Sequence, residues 1–124
     1  ECDIEADDAI LDAKTSWSLE TFPATTAEAE AKSNASLYEW QGRGYMFLYD
    51  KEVFRLFYAM VSTPSDQLKD WDNHSIHLVD HIAPEHRLTQ IDYERDTELE
   101  EDIESKCREA IEFIKEVINQ IKNK

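Results

Sequence analysis

The chain has 124 residues, which suits one domain that can bury a core without a metal or a dense disulfide framework. Hydrophobic residues make up 41% of the chain and only two residues are glycine, which argues against disorder and against the many tight turns of a β-sandwich or barrel. The net charge of −15 predicts that nucleic acid and anionic membranes are repelled. It suits a basic protein as the partner, with plain solubility as the alternative explanation.

The first residues and the cysteines bear on the compartment. The chain starts at Glu1 with no Met and no apolar leader, and it contains no long apolar run. We therefore expect a periplasmic or secreted protein that has lost a signal peptide and does not insert into a membrane. Cys2 and Cys107 lie near opposite ends of the chain, which predicts a disulfide, with two buried thiols as the alternative. Sequons at Asn34 and Asn73 leave the source organism open.

Apolar spacing predicts helices in the first half of the chain. Residues 3–17 have one apolar stripe at helical spacing, which predicts a first helix. Thr25 and Glu28 have the spacing of a capping box at the start of a second helix. The most apolar stretch, 45–61, is interpreted as a central helix, with a short strand at 45–49 as the competing interpretation.

The second half of the chain gives a similar result. An apolar face over 68–82 predicts another helix, residues 84–95 are expected to form a loop, and 96–121 has the stripe and acidic first turns of a long helix. Residues 1–124 are therefore predicted to form a single all-α domain, a compact bundle of four or five helices with a long C-terminal helix. Phe113, beside the main apolar stripe of the last helix, suggests a homodimer.

The sequence shows little sign of catalytic chemistry. No nucleophile motif and no glycine-rich phosphate loop are present, and the carboxylates are too numerous for a catalytic pair to be singled out. We therefore expect a protein that is not an enzyme and has no cofactor. His74, His77 and His81 lie on one flank of the predicted helix and could bind Zn²⁺, Ni²⁺ or Cu²⁺, although a polar flank without metal and a pH-sensitive surface are the alternatives.

One acidic segment has the composition of a binding surface. Trp71 lies among acidic residues, which is typical of a hot spot for a basic partner, although a half-buried tryptophan at a helix end gives the same pattern. A second acidic segment over 85–98 is predicted to share in recognition, because both segments flank the ends of predicted helices. The predicted partner-binding residues are Asp66, Asp70, Trp71, Asp72, Glu85 and Glu94.

The start Glu1-Cys2-Asp3-Ile4, the cysteine pair, the negative charge and the helical pattern together resemble a family of bacterial proteins. The chain is similar to periplasmic immunity proteins against type VI secretion effectors that degrade peptidoglycan, especially lysozyme-like effectors carried on spike proteins. This resemblance implies an inhibitor that occludes the substrate groove of a toxin hydrolase. The alternatives are a secreted helical binding protein or antigen of another kind, and a small metal or ligand carrier that uses the histidines.

Overall fold

The protein has an α/β fold in which helices cover a mixed sheet. The structure is a computed structural model that describes residues 2–123, so Glu1 of the predicted processed start lies outside the described residues. Four strands form the sheet: β1 (Ile4–Glu5), β2 (Ala9–Ser16), β3 (Val53–Met60) and β4 (Leu88–Glu94). The α-helices are α1 (Thr26–Ala35), α2 (Tyr38–Tyr49), α3 (His74–His77) and α4 (Thr97–Lys122). The prediction of an all-α bundle is therefore wrong.

The strands lie in sequence order, β1-β2-β3-β4. The central pair β2 and β3 is parallel, and each edge strand pairs antiparallel with its neighbour. Parallel neighbours need a long crossover between them, and α1 and α2 supply it. The strands that carry the middle of the sheet are therefore separated in sequence by both of these helices.

The apolar stretch predicted as one central helix instead forms a helix and a strand. α2 ends at Tyr49, Asp50 takes the left-handed backbone conformation with φ 53°, and β3 begins at Val53. Side chains of β3 are buried alternately, and the more deeply buried set faces α1 and α2. Val53, Phe57 and Ala59 on the other face are half-buried and apolar, so the sequence of β3 is apolar nearly throughout and resembles a buried helix. The core cluster consists of Ile10, Ala29, Met46, Phe54, Leu56, Tyr58 and Ile91.

Three other predicted elements are also wrong. Residues 3–17 form β1 and β2 rather than a helix, residues 84–95 contain β4 rather than a loop, and helix 68–82 is reduced to the four residues of α3. In β2, Ala9 and Ile10 are both buried and Asp12 follows them into the interior. Lys14 and Ser16 lie on the same covered face as Asp12, so the sequence lacks the apolar-in, polar-out alternation that usually distinguishes a strand.

Two predicted features are confirmed. Thr25 and Glu28 form the expected capping box, in which each side chain accepts a hydrogen bond from the other residue's backbone amide. The predicted C-terminal helix is α4, whose first turn is capped by the Asp96 side chain. Much of the apolar stripe of α4 is exposed, including Ile111, Phe113, Ile114, Ile118 and Ile121. Among residues 2–123, no helix combines the length and hydrophobicity that a membrane crossing requires.

One arginine joins three elements near the end of the sheet. Arg95 contacts Asp50 after α2 and Glu100 on α4, each at 2.6 Å, and lies 3.6 Å from Glu52 before β3.

The predicted disulfide is absent, because both cysteines are free thiols. Cys2 packs against the core cluster, while Cys107 is exposed on α4.

Candidate active site

A carboxylate and a lysine lie on the same side of β2. Asp12 and Lys14 are two residues apart, and successive side chains of a strand point to opposite faces, so these two side chains share one face. Asp12 pairs with Leu56 and Lys14 with Tyr58 of β3, which places both on the face that the helices cover. Asp12 is only 2% exposed. A charged pair of this kind inside a central strand calls for a functional explanation, because burial of an ionisable group is costly.

A second carboxylate lies beside Asp12. The register of β1 and β2 pairs Ile4 with Leu11, and one further step of the same antiparallel register brings Asp3 opposite Asp12. The Oδ2 atom of Asp3 accepts a hydrogen bond of 3.1 Å from the amide of Ala13. This bond fixes the Asp3 carboxylate against the strand that carries Asp12.

The two carboxyl groups have opposite pKa shifts. Burial raises the pKa of Asp12, and contact with the Asp3 carboxyl raises it further. Contact with Asp12, together with the hydrogen bond from the Ala13 amide, lowers the pKa of Asp3. Such divergence is typical of two acids that are close enough to share a proton.

Lysine and tyrosine side chains form the rest of the site. The Nζ atom of Lys14 lies 2.9 Å from Oδ1 of Asp12 and 4.8 Å from the ring centre of Tyr38 on α2. Burial alone would lower the pKa of Lys14, but the contact with Asp12 outweighs it and the net shift is upward. Burial also raises the pKa of Tyr58 to about 12, and the Nζ atom of Lys32 lies 5.5 Å from the centre of its ring.

The oxygens of Asp12 are suited to a hard cation. Lys14 holds Oδ1 in an ion pair, while Oδ2 accepts from no N–H group of the described residues. Within residues 2–123, no group of three or more His, Cys, Asp or Glu side chains could hold a metal ion. Mg²⁺ needs fewer, because it commonly binds one or two carboxylates and fills its other positions with water and substrate phosphate. The pair Asp3 and Asp12 meets that requirement.

The predicted acidic binding surface lies elsewhere. Asp66, Asp70, Trp71 and Asp72 lie in the irregular segment between β3 and α3, where Trp71 is 83% exposed rather than half-buried. The carboxylate of Asp72 accepts a hydrogen bond from the amide of Lys69, so it stabilises a local turn. These residues do not join Asp3, Asp12 and Lys14 in the site.

The remaining predicted residues are dispersed. Glu85 precedes β4 and Glu94 ends it, so about seven strand residues, or roughly 20 Å, separate them. His74 and His81 are exposed, whereas His77 is buried and its Nδ1 atom donates to the backbone oxygen of Trp17 over 3.0 Å. The fold therefore does not gather the three histidines into a metal site.

The sequence did contain a signal for the site. Asp12 and Lys14 are oppositely charged residues two apart within an otherwise uncharged segment, Ala9–Ser16. On a helix such residues point in different directions, but on a strand they share a face. Because residues 3–17 were interpreted as a helix, Asp12 and Lys14 were not recognised as a pair. Asp3 could be assigned to the site only once the register of β1 was known.

Comparison with solved structures gives one strong match. The chain resembles a phage-related exonuclease. The crystal structure of that protein, from Haemophilus somnus 129PT, aligns with a TM-score of 0.90 at 28% sequence identity. The alignment covers 98% of this chain but 56% of the exonuclease chain, so this chain spans little more than half of its length. No protein-family model matches the chain, and no curated protein matches it significantly.

This match overturns the functional predictions from sequence. The neighbour is an α/β exonuclease-like fold and not an immunity protein, and nothing found supports a link to type VI secretion. The predictions of an inhibitor of a cell-wall hydrolase, of another helical binder and of a histidine-based carrier are therefore withdrawn. The expectation that the protein is not an enzyme is corrected for the same reason.

Proposed function

We propose that this chain carries the catalytic residues of a divalent-cation-dependent nuclease that hydrolyses phosphodiester bonds in nucleic acid. The observation that carries the proposal is the buried Asp12, which lies beside Asp3, pairs with Lys14 through Oδ1 and leaves Oδ2 without an N–H donor. The similarity to a phage-related exonuclease supports the same chemistry.

Each residue of the site has a role in this reaction. Asp3 and Asp12 would hold the cation, which supplies Lewis-acid stabilisation of the phosphate oxygens and acidifies a neighbouring water. The ammonium of Lys14 is held in place by Asp12, so it presents a fixed positive charge beside the phosphate. Fixed charges of this kind stabilise the negative charge that develops during phosphoryl transfer.

The proposal departs from the expectation that a charge of −15 repels nucleic acid. Net charge sets the long-range field, whereas catalysis depends on the local charges at the reacting group. A divalent cation would offset the two carboxylates, and Lys14 and Lys32 add positive charge on the same side of the sheet. Many of the acidic residues lie instead on α4, which packs against α2.

Cleavage of a labelled oligonucleotide by the purified chain tests this proposal. We expect cleavage with Mg²⁺, no cleavage with a chelator, and a loss of at least about 100-fold for Asp12→Asn and for Lys14→Met, which is typical when a charge-stabilising group is removed. Asp7→Asn is the matched control, because Asp7 is an exposed carboxylate in the turn before β2. Calorimetry with Mg²⁺ alone should show binding that Asp12→Asn removes.

The same assay separates the two kinds of nuclease. Degradation of linear but not circular substrates would indicate an exonuclease, as in the neighbour. Folded Asp12→Asn protein that cleaves at the unmodified rate would refute the assignment of the site. Circular dichroism should confirm that each variant is folded before its rate is interpreted.

A further inference from the structure

Trp17 is an exposed side chain whose position is nevertheless fixed. The residue is 53% exposed and follows the last residue of β2. Its backbone oxygen accepts hydrogen bonds from Oγ1 of Thr63, over 3.2 Å, and from Nδ1 of His77, over 3.0 Å. The indole also packs edge-on against the His77 ring, with 5.0 Å between the ring centres. An apolar ring that is both rigid and open to solvent is suited to binding a flat ligand.

A small cleft lies beside this ring. Its volume is about 270 Å³. Sites that enclose drug-sized ligands measure roughly 300–1,000 Å³, so this cleft suits a single ring system. The residues that line it are Thr15, Ser16, Trp17, Val61, Ser62, Thr63 and Pro64.

None of the residues lining this cleft is charged, although 28 of the 124 residues of the chain are Asp or Glu. The other tryptophans differ in this respect. Trp71 is flanked by Asp70 and Asp72, and Trp40 lies in a groove lined by Asp102 and Glu109. A polyanion can therefore approach Trp17 without meeting carboxylates in the cleft itself.

The cleft is located at the edge of the sheet where ligands usually bind. Trp17 follows the carboxyl end of β2 and Val61 follows that of the parallel strand β3. Open α/β sheets bind ligands outside the carboxyl ends of their strands. Lys14 lies on the same strand, three residues or about 10 Å before Trp17. A bound nucleic-acid strand can span this distance between Lys14 and the cleft.

We infer that Trp17 is a stacking platform for one nucleobase of the substrate strand. This inference rests on the nuclease function proposed above and adds how the substrate is positioned. Aromatic side chains bind single strands by stacking on bases, largely independent of sequence, since every base has a flat face. Hydroxyl groups of Thr15 and Ser62 at the cleft can contact the sugar or the base edge.

Binding of single-stranded oligonucleotides with and without one abasic position tests the inference. Asp12→Asn is used as the background for every variant, to prevent cleavage, and fluorescence anisotropy reports affinity. We expect Trp17→Ala to weaken binding of the intact oligonucleotide about 10-fold, and Trp17→Phe to retain most of the affinity. Removal of the stacked base should weaken binding to the Asp12→Asn protein by a similar factor. When Trp17→Ala and the abasic position are combined, the loss of affinity should be no larger than for either change alone. Trp71→Ala is the matched control and should bind normally.

The outcomes separate the two proposals. Suppose that the chain cleaves nucleic acid but Trp17→Ala binds the oligonucleotide normally. Suppose instead that Trp17→Ala loses the same affinity for the intact oligonucleotide and for every oligonucleotide with one abasic position. Either result overturns stacking and leaves the nuclease assignment standing. If the chain neither cleaves nor binds oligonucleotides with Mg²⁺, both are overturned. Folding of Trp17→Ala is checked by its melting curve, and Trp17→Phe combined with the abasic scan tests stacking if Trp17→Ala does not fold.

Discussion

At the scale of single residues, Asp12 has the most unusual environment in the described part of the chain. A carboxyl group that is 2% exposed loses the hydration that stabilised it in water. Lys14 compensates for part of this loss through its contact with Oδ1, and Asp3 adds a like charge nearby. A bound cation would satisfy both carboxylates, which explains why such a group is buried in the middle of β2.

The capping box of α1 gives a prediction at this scale. Thr25→Ala should lower the free energy of unfolding by about 1 kcal/mol, because the Glu28 amide loses its acceptor at the helix start. Thr26→Ala is the matched control. Thr26 is the exposed first residue of α1 and alanine favours helix, so its change in stability should be close to zero or slightly positive. Urea denaturation followed by circular dichroism measures both, and equal losses would show that the cap contributes nothing.

At the scale of elements, predictability follows from how clearly the apolar residues repeat with the period of the element. α4 is amphipathic, so its period is clear in the sequence and its range was predicted almost to the residue. β2 carries polar residues on its covered face, and β3 carries apolar residues on its half-buried face, so neither sequence alternates as a strand usually does. The candidate site depends on β2, so the wrong prediction of a helix over 3–17 also prevented the site from being identified. Sequence reasoning therefore identified the one long surface helix and the cap of α1, but not the sheet.

The two glycines of α2 give an element-scale prediction. Gly42 is buried, and a Cβ atom there would overlap the ring of Phe54 on β3. Gly42→Ala should therefore reduce stability by about 1–3 kcal/mol, as is usual for overpacked cores. Gly44 has no atom near its Cβ position, so Gly44→Ala should raise stability by up to about 1 kcal/mol through helix propensity alone.

Thermal or urea denaturation of both variants measures the contrast. Because the substitutions are chemically identical and two residues apart on one helix, differences in helix propensity largely cancel between them. Stabilisation by both changes would mean that α2 does not pack against β3 at Gly42.

At the scale of the whole molecule, α4 presents an apolar surface that the rest of the described chain does not cover. Ile111, Ile114, Ile118 and Ile121 are each more than two-fifths exposed. The homodimer expected from sequence therefore stays a prediction, with this helix face as its interface. The expectation of export to the periplasm or outside the cell also stays a prediction.

Light scattering tests the homodimer. We expect a mass twice that of one chain at micromolar concentration, because apolar area buried between two copies of α4 favours association. Ile114→Glu should shift the mass to that of one chain, since a carboxylate would then lie in the interface. Lys115→Glu, which changes the neighbouring exposed position, is the control. A single-chain mass for the unmodified protein at every concentration would exclude the dimer.

The parallel pairing of β2 with β3 also has a consequence for biosynthesis. β2 leaves the ribosome well before β3, because α1 and α2 are encoded between them. Until then, β2 can pair only with the two residues of β1, and an isolated pair of strands is marginally stable in water. Asp12 and Lys14 are therefore not held in their final arrangement on an unfinished chain. The proposed site is therefore assembled only after β3 has been synthesised and has docked beside the strand that carries Asp12.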